Sequence, residues 1–305
     1  RYFWNKRNQE SNRKAFEYFR KAIAKDPNYA PGYAGLADAY AFSGTDLPIH
    51  EAAIKSREMA LRALSLDDQL AEAHATLGLI APQFGWDWQE VDRQLKRAIE
   101  LNPGFATAYQ WHAEVYLVPM GRTNEAIEEM RKAEQLDPLS PIIATDLGKL
   151  LYYARRYDEA ETQLKKALEL DPEFGVARGL LGAVYFEQRR YAEMQVELER
   201  SRPMIGNTAY LSGLIALHAK TGQLKLAKQE MNQLLQIAHR ETVDPGEIAS
   251  RYVLLGDKDN AFAWLDKACT SGSGWAGTIN ANATWDPIHS DPRFNDVRRC
   301  LHLSN

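Results

Sequence analysis

A chain of 305 residues that is 45% hydrophobic and 26% charged, with a formal charge of −4, has an ordinary globular composition. It is long for one compact core, so its apolar residues must be shared among several smaller contacts. The mildly acidic balance excludes bulk nucleic-acid binding by this segment, and no apolar run is long enough for membrane insertion.

Residues 1–28 read as an opening partial repeat. Arg13 to Pro27, RKAFEYFRKAIAKDP, has the spacing of a second helix, while Arg1 to Gln9 are too few and too polar to be its full partner. With no initiator Met and no signal peptide, the chain is expected to be a piece of a larger protein. Four proline-ended tails then recur: KAIAKDP at Pro27, RAIELNP at Pro103, KAEQLDP at Pro138 and KALELDP at Pro172. The last three prolines are 35 and 34 residues apart, and the first two are 76 apart, two periods with a small insertion. A helical period in the mid-thirties predicts an all-α solenoid built from helix pairs, with residues 29–203 as its core array.

The copy from Pro141 to Pro172 states the unit most cleanly. Ala144, Leu147, Gly148 and Leu151 mark one face of a first helix; Arg155 and Arg156 interrupt it; Ala160, Leu164, Ala167 and Leu168 mark a second. Asp171-Pro172 ends it, because proline cannot continue a helix and restricts the residue before it. Extra residues around SGTDLPIHE lengthen an earlier turn, and the register slips at Arg202 to Gly206, the expected hinge or seam. Two looser copies fill 204–270, giving about seven full repeats by the period argument. Residues 271–305 read as a loop and a C-terminal capping helix, started by Asp291-Pro292 and sided by Phe294, Val297 and Leu301.

These residues resemble the tetratricopeptide repeat. The copy opening at Ala106 supplies Tyr109, Ala113, Tyr116, Ala126, Met130, Ala133 and Pro138. The copy at Ala71 supplies His74, Leu77, Gly78, Leu95, Ala98 and Pro103. The copy at Gly175 supplies Leu181, Gly182, Tyr185 and Leu198 but has Met194 and Ser201 where alanines belong. The resemblance implies antiparallel helix pairs stacked into a right-handed superhelix, with a stripe of each first helix lining a concave groove. Here that stripe gives Thr107, Gln110, Glu114, Leu117, Ile142, Thr145, Lys149, Tyr152 and Phe186 as candidate partner-binding residues. An equal reading packs Ile142, Val176 and Ala183 on neighbouring repeats. Only Lys149 is available for the family's carboxylate clamp, so that mode is not expected.

A narrower resemblance covers most of the chain. RYFWNKR, Trp86-Asp87-Trp88, LDPLSP from Leu136, LLGDKDNAFAWLDKA from Leu254 and WDPIHSDPRF from Trp285 are similar to the C-terminal repeat arm of bacterial multidomain regulators. In those proteins the arm accompanies winged-helix, TolB-like or serine/threonine kinase segments, which implies a regulatory, protein-binding role.

The residues offer little chemistry. No HExxH, GxSxG or GxxxxGK pattern occurs, so no catalytic residue, metal site or cofactor is assigned. His74 reads as a ring filling an aromatic core position. Gly272 to Gly277 fits GxGxxG but follows a helix rather than a strand, and reads as a loop. Asn282-Ala283-Thr284 is a short glycosylation pattern. Cys269 and Cys300 lack metal-ligand spacing and read as packed or surface thiols. The expectation is a non-catalytic scaffold for a protein or peptide, with possible homo-oligomers. The alternative is a ligand-sensing or self-associating arm that controls an output domain. The cytoplasm is favoured, with the periplasm open to an anchored full-length protein.

Overall fold

The structure is a computed structural model that describes residues 9–42, 47–240, 243–271 and 273–303. The RYFWNKR opening, the SGTD portion of the long turn and Gly272 lie outside them. The described residues form helices and turns with no strand, in two compact units that divide between Tyr116 and Leu117.

In the first unit α1 (Gln9–Lys25) packs on α2 (Ala30–Ala41), α2 pairs with α3 (Ile49–Leu66), and α4 (Ala71–Ile80) pairs with α5 (Trp88–Leu101). A short α6 (Ala106–Trp111) runs on as a π-helical turn from His112 to Leu117. Alanines make the close pairing possible: Ala34, Ala37, Ala60, Ala63 and Ala73 are fully buried. They favour helix, and their small side chains allow neighbouring axes to approach closely. Gly78 goes further, since an added Cβ would lie 2.5 Å from Leu95 Cγ. The Trp86-Asp87-Trp88 stretch is a reversal. Gly85 at φ +106° and Trp86 at φ +57° turn the chain, Asp87 accepts the Glu90 N–H at 3.0 Å to cap α5, and both tryptophans are buried.

The second unit contains α7 (Thr123–Leu136), α8 (Pro141–Tyr153), α9 (Tyr157–Leu170), α10 (Gly175–Glu187) and α11 (Tyr191–Lys220). It continues with α12 (Leu224–Ala238), α13 (Pro245–Leu254), α14 (Lys258–Ser271) and α15 (Arg293–Cys300). α8 pairs with α9, α10 with α11, α11 with α12 and α13 with α14. Leu147, Leu151, Leu164 and Ala167 are closed to solvent, and a Cβ on Gly148 would meet Leu164 Cγ at 2.7 Å. The Asp-Pro tails end helices for a visible reason. Asp171 gives its N–H to the Ala167 carbonyl at 2.9 Å while its carboxylate accepts from Glu173 N at 3.0 Å, and Pro172 then blocks continuation. The Arg202 to Gly206 stretch is a reversal inside this unit. Helix continues through Pro203 to Gly206, whose φ of 76° and ψ of 169° no helix adopts, and the two arms of α11 then lie together with Gly213 against Leu198.

One expectation is corrected. Cys269 and Cys300 are not separate thiols; they are joined by a disulfide with Cα atoms 6.2 Å apart, tying α14 to α15. The chain between them folds back so that α15 packs on α14, and spacing of 31 residues along the sequence carries no trace of that return.

Candidate functional site

The first helices of the second unit gather a polar and aromatic cluster. Tyr152 on α8 and Phe186 on α10 hold equivalent places in their repeats and are each 8% exposed. Arg155 follows in the turn after α8 at φ +61°, Glu187 ends α10, Lys220 ends α11, and Arg251 lies on α13. The Lys220 ammonium stands 5.5 Å from the Phe186 ring centre. Arg251 is buried and donates from Nη1 to the Ser212 carbonyl at 3.0 Å and from Nε to Ser250 Oγ at 3.1 Å.

These groups act on one another. Burial pushes the Tyr152 phenol well up, the Glu187 carboxylate adds to the effect, and Arg251 opposes it. Burial also pushes the Glu187 carboxyl up; Lys220 and Arg155 draw it down, and Asp286 pushes it up again. Burial lowers the Arg251 guanidinium, whose charge Glu247 and Tyr152 help to keep. The cluster thus mixes cations, one reluctant carboxylate and aromatic faces in a desolvated setting.

The chain's own closing segment reaches this cluster. Between α14 and α15 the backbone runs through two 3-10 turns, Ala276–Thr278 against α14 and Ala283–Ile288 against α13. Asn280 donates from Nδ2 to the Pro119 carbonyl at 2.7 Å, across 161 positions of sequence. Arg155 donates from Nη2 to Asp286 Oδ2 at 2.6 Å, across 131 positions. Trp275 offers its ring face to the Arg251 guanidinium at 5.5 Å, and Ser273 Oγ donates to Asp244. Within the segment Trp285 Nε1 donates to Thr278 Oγ1 at 3.3 Å and His289 Nε2 donates to the Ile279 carbonyl at 3.1 Å. Ile279, Trp285 and Ile288 are fully buried. The glycosylation-pattern Asn282 is 5% exposed and caps the second turn by accepting from Thr284 N.

Of the residues assigned from the stripe, the first unit holds Thr107 and Glu114 half-buried and Gln110 buried. In the second unit Leu117 and Thr145 are buried, and the Thr145 hydroxyl donates to the Pro141 carbonyl at 2.7 Å. Ile142 and Lys149 are half-buried, with the Lys149 ammonium 2.9 Å from Asp146. Tyr152 and Phe186 are the two that stand in the cluster. Arg155, Glu187, Lys220, Arg251, Trp275 and Asp286 complete it and lie outside the assigned stripe. Only Arg251, a cation inside the apolar run IASRYVLL, carried a local signal. His74 is half-buried and bonded through Nδ1 to Gln94 Oε1 at 2.6 Å. Gly274 and Gly277 lie in turns after α14, with a helix before them. Among the described residues no cluster of His, Cys, Asp and Glu is arranged to hold a metal ion, and no helix is long and apolar enough to cross a membrane.

Tetratricopeptide repeat family profiles match residues 106–138 and 145–193. Those two stretches are similar to tetratricopeptide repeats. Solved structures extend the likeness of fold beyond those two stretches. The pilF protein of Pseudomonas aeruginosa is 19% identical over 74% of this chain and 96% of its own, with a TM-score of 0.54. PilW, a type IV pilus biogenesis factor, is 16% identical over 72% of this chain and 96% of its own, with a TM-score of 0.56. A structure of the APC/C hetero-tetramer Cut9-Hcn1 is 12% identical over 95% of this chain and 59% of its own, with a TM-score of 0.57. Comparison with curated proteins finds no match. Together these likenesses show an all-α helical repeat fold.

Proposed function

We propose that this chain is a non-catalytic scaffold whose first-helix faces hold an irregular or extended segment of another protein, serving as the regulatory arm of a larger bacterial signalling protein. One observation carries the reading. The second unit already holds such a segment, its own, through a main-chain acceptor at Pro119, a cation for a carboxylate at Arg155 and a cation for an indole at Arg251. A partner offering an amide, a carboxylate and an aromatic ring can use the same groups, and the buried setting of Arg251 strengthens each polar contact made there.

Selection of displayed peptides on the full chain, with its disulfide reduced, tests this. Enriched sequences are expected to pair an acidic residue with a nearby aromatic, and Arg155→Glu is expected to lower their affinity at least tenfold. No enrichment over an unrelated folded protein would remove the reading. The ligand-sensing alternative draws on the convergence of Tyr152, Glu187 and Arg251. Thermal shifts that respond to small anionic metabolites but to no peptide would favour it.

A further inference from the structure

The groups that would receive a partner are already taken by residues 273–288, and both ends of that stretch are fastened. Upstream it follows α14, which ends at Ser271 two residues after Cys269; downstream it leads into α15, whose last residue is Cys300. The disulfide between these cysteines therefore closes a loop that contains Trp275, Asn280, Trp285 and Asp286, the residues that occupy or support the site. The disulfide is the covalent tie between α15 and α14. Non-covalent contacts add to it: Phe294, Val297 and Leu301 are buried, Phe294 lies 4.6 Å from the His289 ring, and Arg293 pairs with Asp259 and Asp291 and stands 4.3 Å from the Phe262 ring.

We infer that the Cys269–Cys300 bond is a redox latch: while it is intact the closing segment occupies the peptide-holding face in cis, and its reduction frees that face for a partner. This rests on the reading of that face as a peptide site. Cys269 is 3% exposed and Cys300 is exposed, so the two sulfurs differ in access. A thiolate of an external dithiol attacks Cys300 Sγ, the bond to Cys269 breaks, and Cys269 leaves as a thiolate that takes up a proton. The second thiol of the reductant then attacks the mixed disulfide and releases Cys300 as a thiolate, which is protonated in turn. The cysteine pair gains two electrons and two protons, and the dithiol is oxidised to a disulfide. Once open, the segment becomes a tail with one free end. By the chain-entropy argument for a loop of 31 residues, docking then weakens by up to roughly 500-fold. The competing partner gains by the same factor, since it no longer displaces a tethered occupant.

The test uses the full chain in three forms: oxidised, reduced with dithiothreitol, and Cys300→Ser, which opens the loop without a reductant. Amide hydrogen exchange is followed over residues 273–288 and over α8–α9, and a fluorescent peptide with the sequence of residues 273–288 is titrated against each form. Reduction and Cys300→Ser should both raise exchange in 273–288 at least tenfold, leave α8–α9 unchanged, and tighten peptide binding at least tenfold. Equal exchange in oxidised and reduced protein overturns the latch. If the peptide then binds both forms equally, the peptide-holding reading survives without it. Exchange that rises while no form binds peptide supports the latch and overturns that reading. Because the reduced wild-type chain reports independently, a Cys300→Ser chain that fails to fold leaves the comparison intact.

Discussion

The α8–α9 hairpin and the closing segment bury their large side chains to the same degree by opposite routes. Leu147, Leu151 and Leu164 are buried in a stack of neighbouring helices, and the close approach of Gly148 to Leu164 spans only sixteen positions. Ile279, Trp285 and Ile288 belong to a segment whose outer hydrogen bonds go to residues 131 and 161 positions away. The hairpin needs only elements adjacent to it in the chain. The segment has somewhere to dock only when α8, α13 and the turn at Pro119 are in place, so it is the later to close and the earlier to open. A part that leaves first is well suited to guarding a site.

The largest expected break in this comparison is Trp285→Ala. Removing a fully buried indole should cost about 3–5 kcal/mol of local stability. Hydrogen exchange should show the loss in residues 273–303 with α8–α9 keeping its protection. Equal loss in both regions would mean that the segment and the hairpin unfold as one. Next come the close approaches inside the repeats. Gly148→Ala forces a Cβ to 2.7 Å from Leu164, and Ala167→Leu adds bulk at a fully buried contact, so each should cost about 1–3 kcal/mol in chemical denaturation. Gly182→Ala is the control: its nearest neighbour would be 3.8 Å away, and the gain in helix propensity should offset any cost or add up to about 1 kcal/mol. A Gly182 variant as damaged as the Gly148 variant would contradict the packing described.

Two arginines sharpen the contrast further, since Arg155 and Arg189 both hold φ +61° in turns between helices. Arg189→Gly relieves a left-handed backbone and should raise stability by up to about 1 kcal/mol. Arg155→Gly gains the same relief but loses the Asp286 pair, so exchange in 273–288 should rise while global stability stays level. The smallest effect is one of pH. The guanidinium of Arg293 holds the Asp291 carboxyl down to about 2, so the charged form supports the start of α15. That support is complete above the ordinary aspartate range near 4 and fades as the pH falls from about 4 to about 2. Asp291→Asn should remove the dependence in that window, as followed by exchange in α15.

Much of the fold was legible because its causes are local. Spacing of Leu147, Gly148, Ala160 and Leu164 names two helix faces, and Asp171-Pro172 names an end, without reference to anything further away. Of the candidate site, Tyr152 and Phe186 could be placed on the first-helix stripe by the same register. Arg155, Glu187, Lys220 and Asp286 could not, because each gains its meaning from a residue on another element. The cysteines show the limit most clearly. Their number and spacing suggested two unrelated thiols, and only the return of α15 onto α14 made them a bond.

The sequence by itself determined the repeating helix pairs, because hydrophobic periodicity, small residues at close approaches and proline stops act within some thirty residues. Tertiary structure alone decided that residues 273–288 reach Pro119 and Arg155 and that a disulfide closes the loop around them. Those outcomes depend on distances between elements far apart along the chain, and such distances are set only after the repeats have stacked.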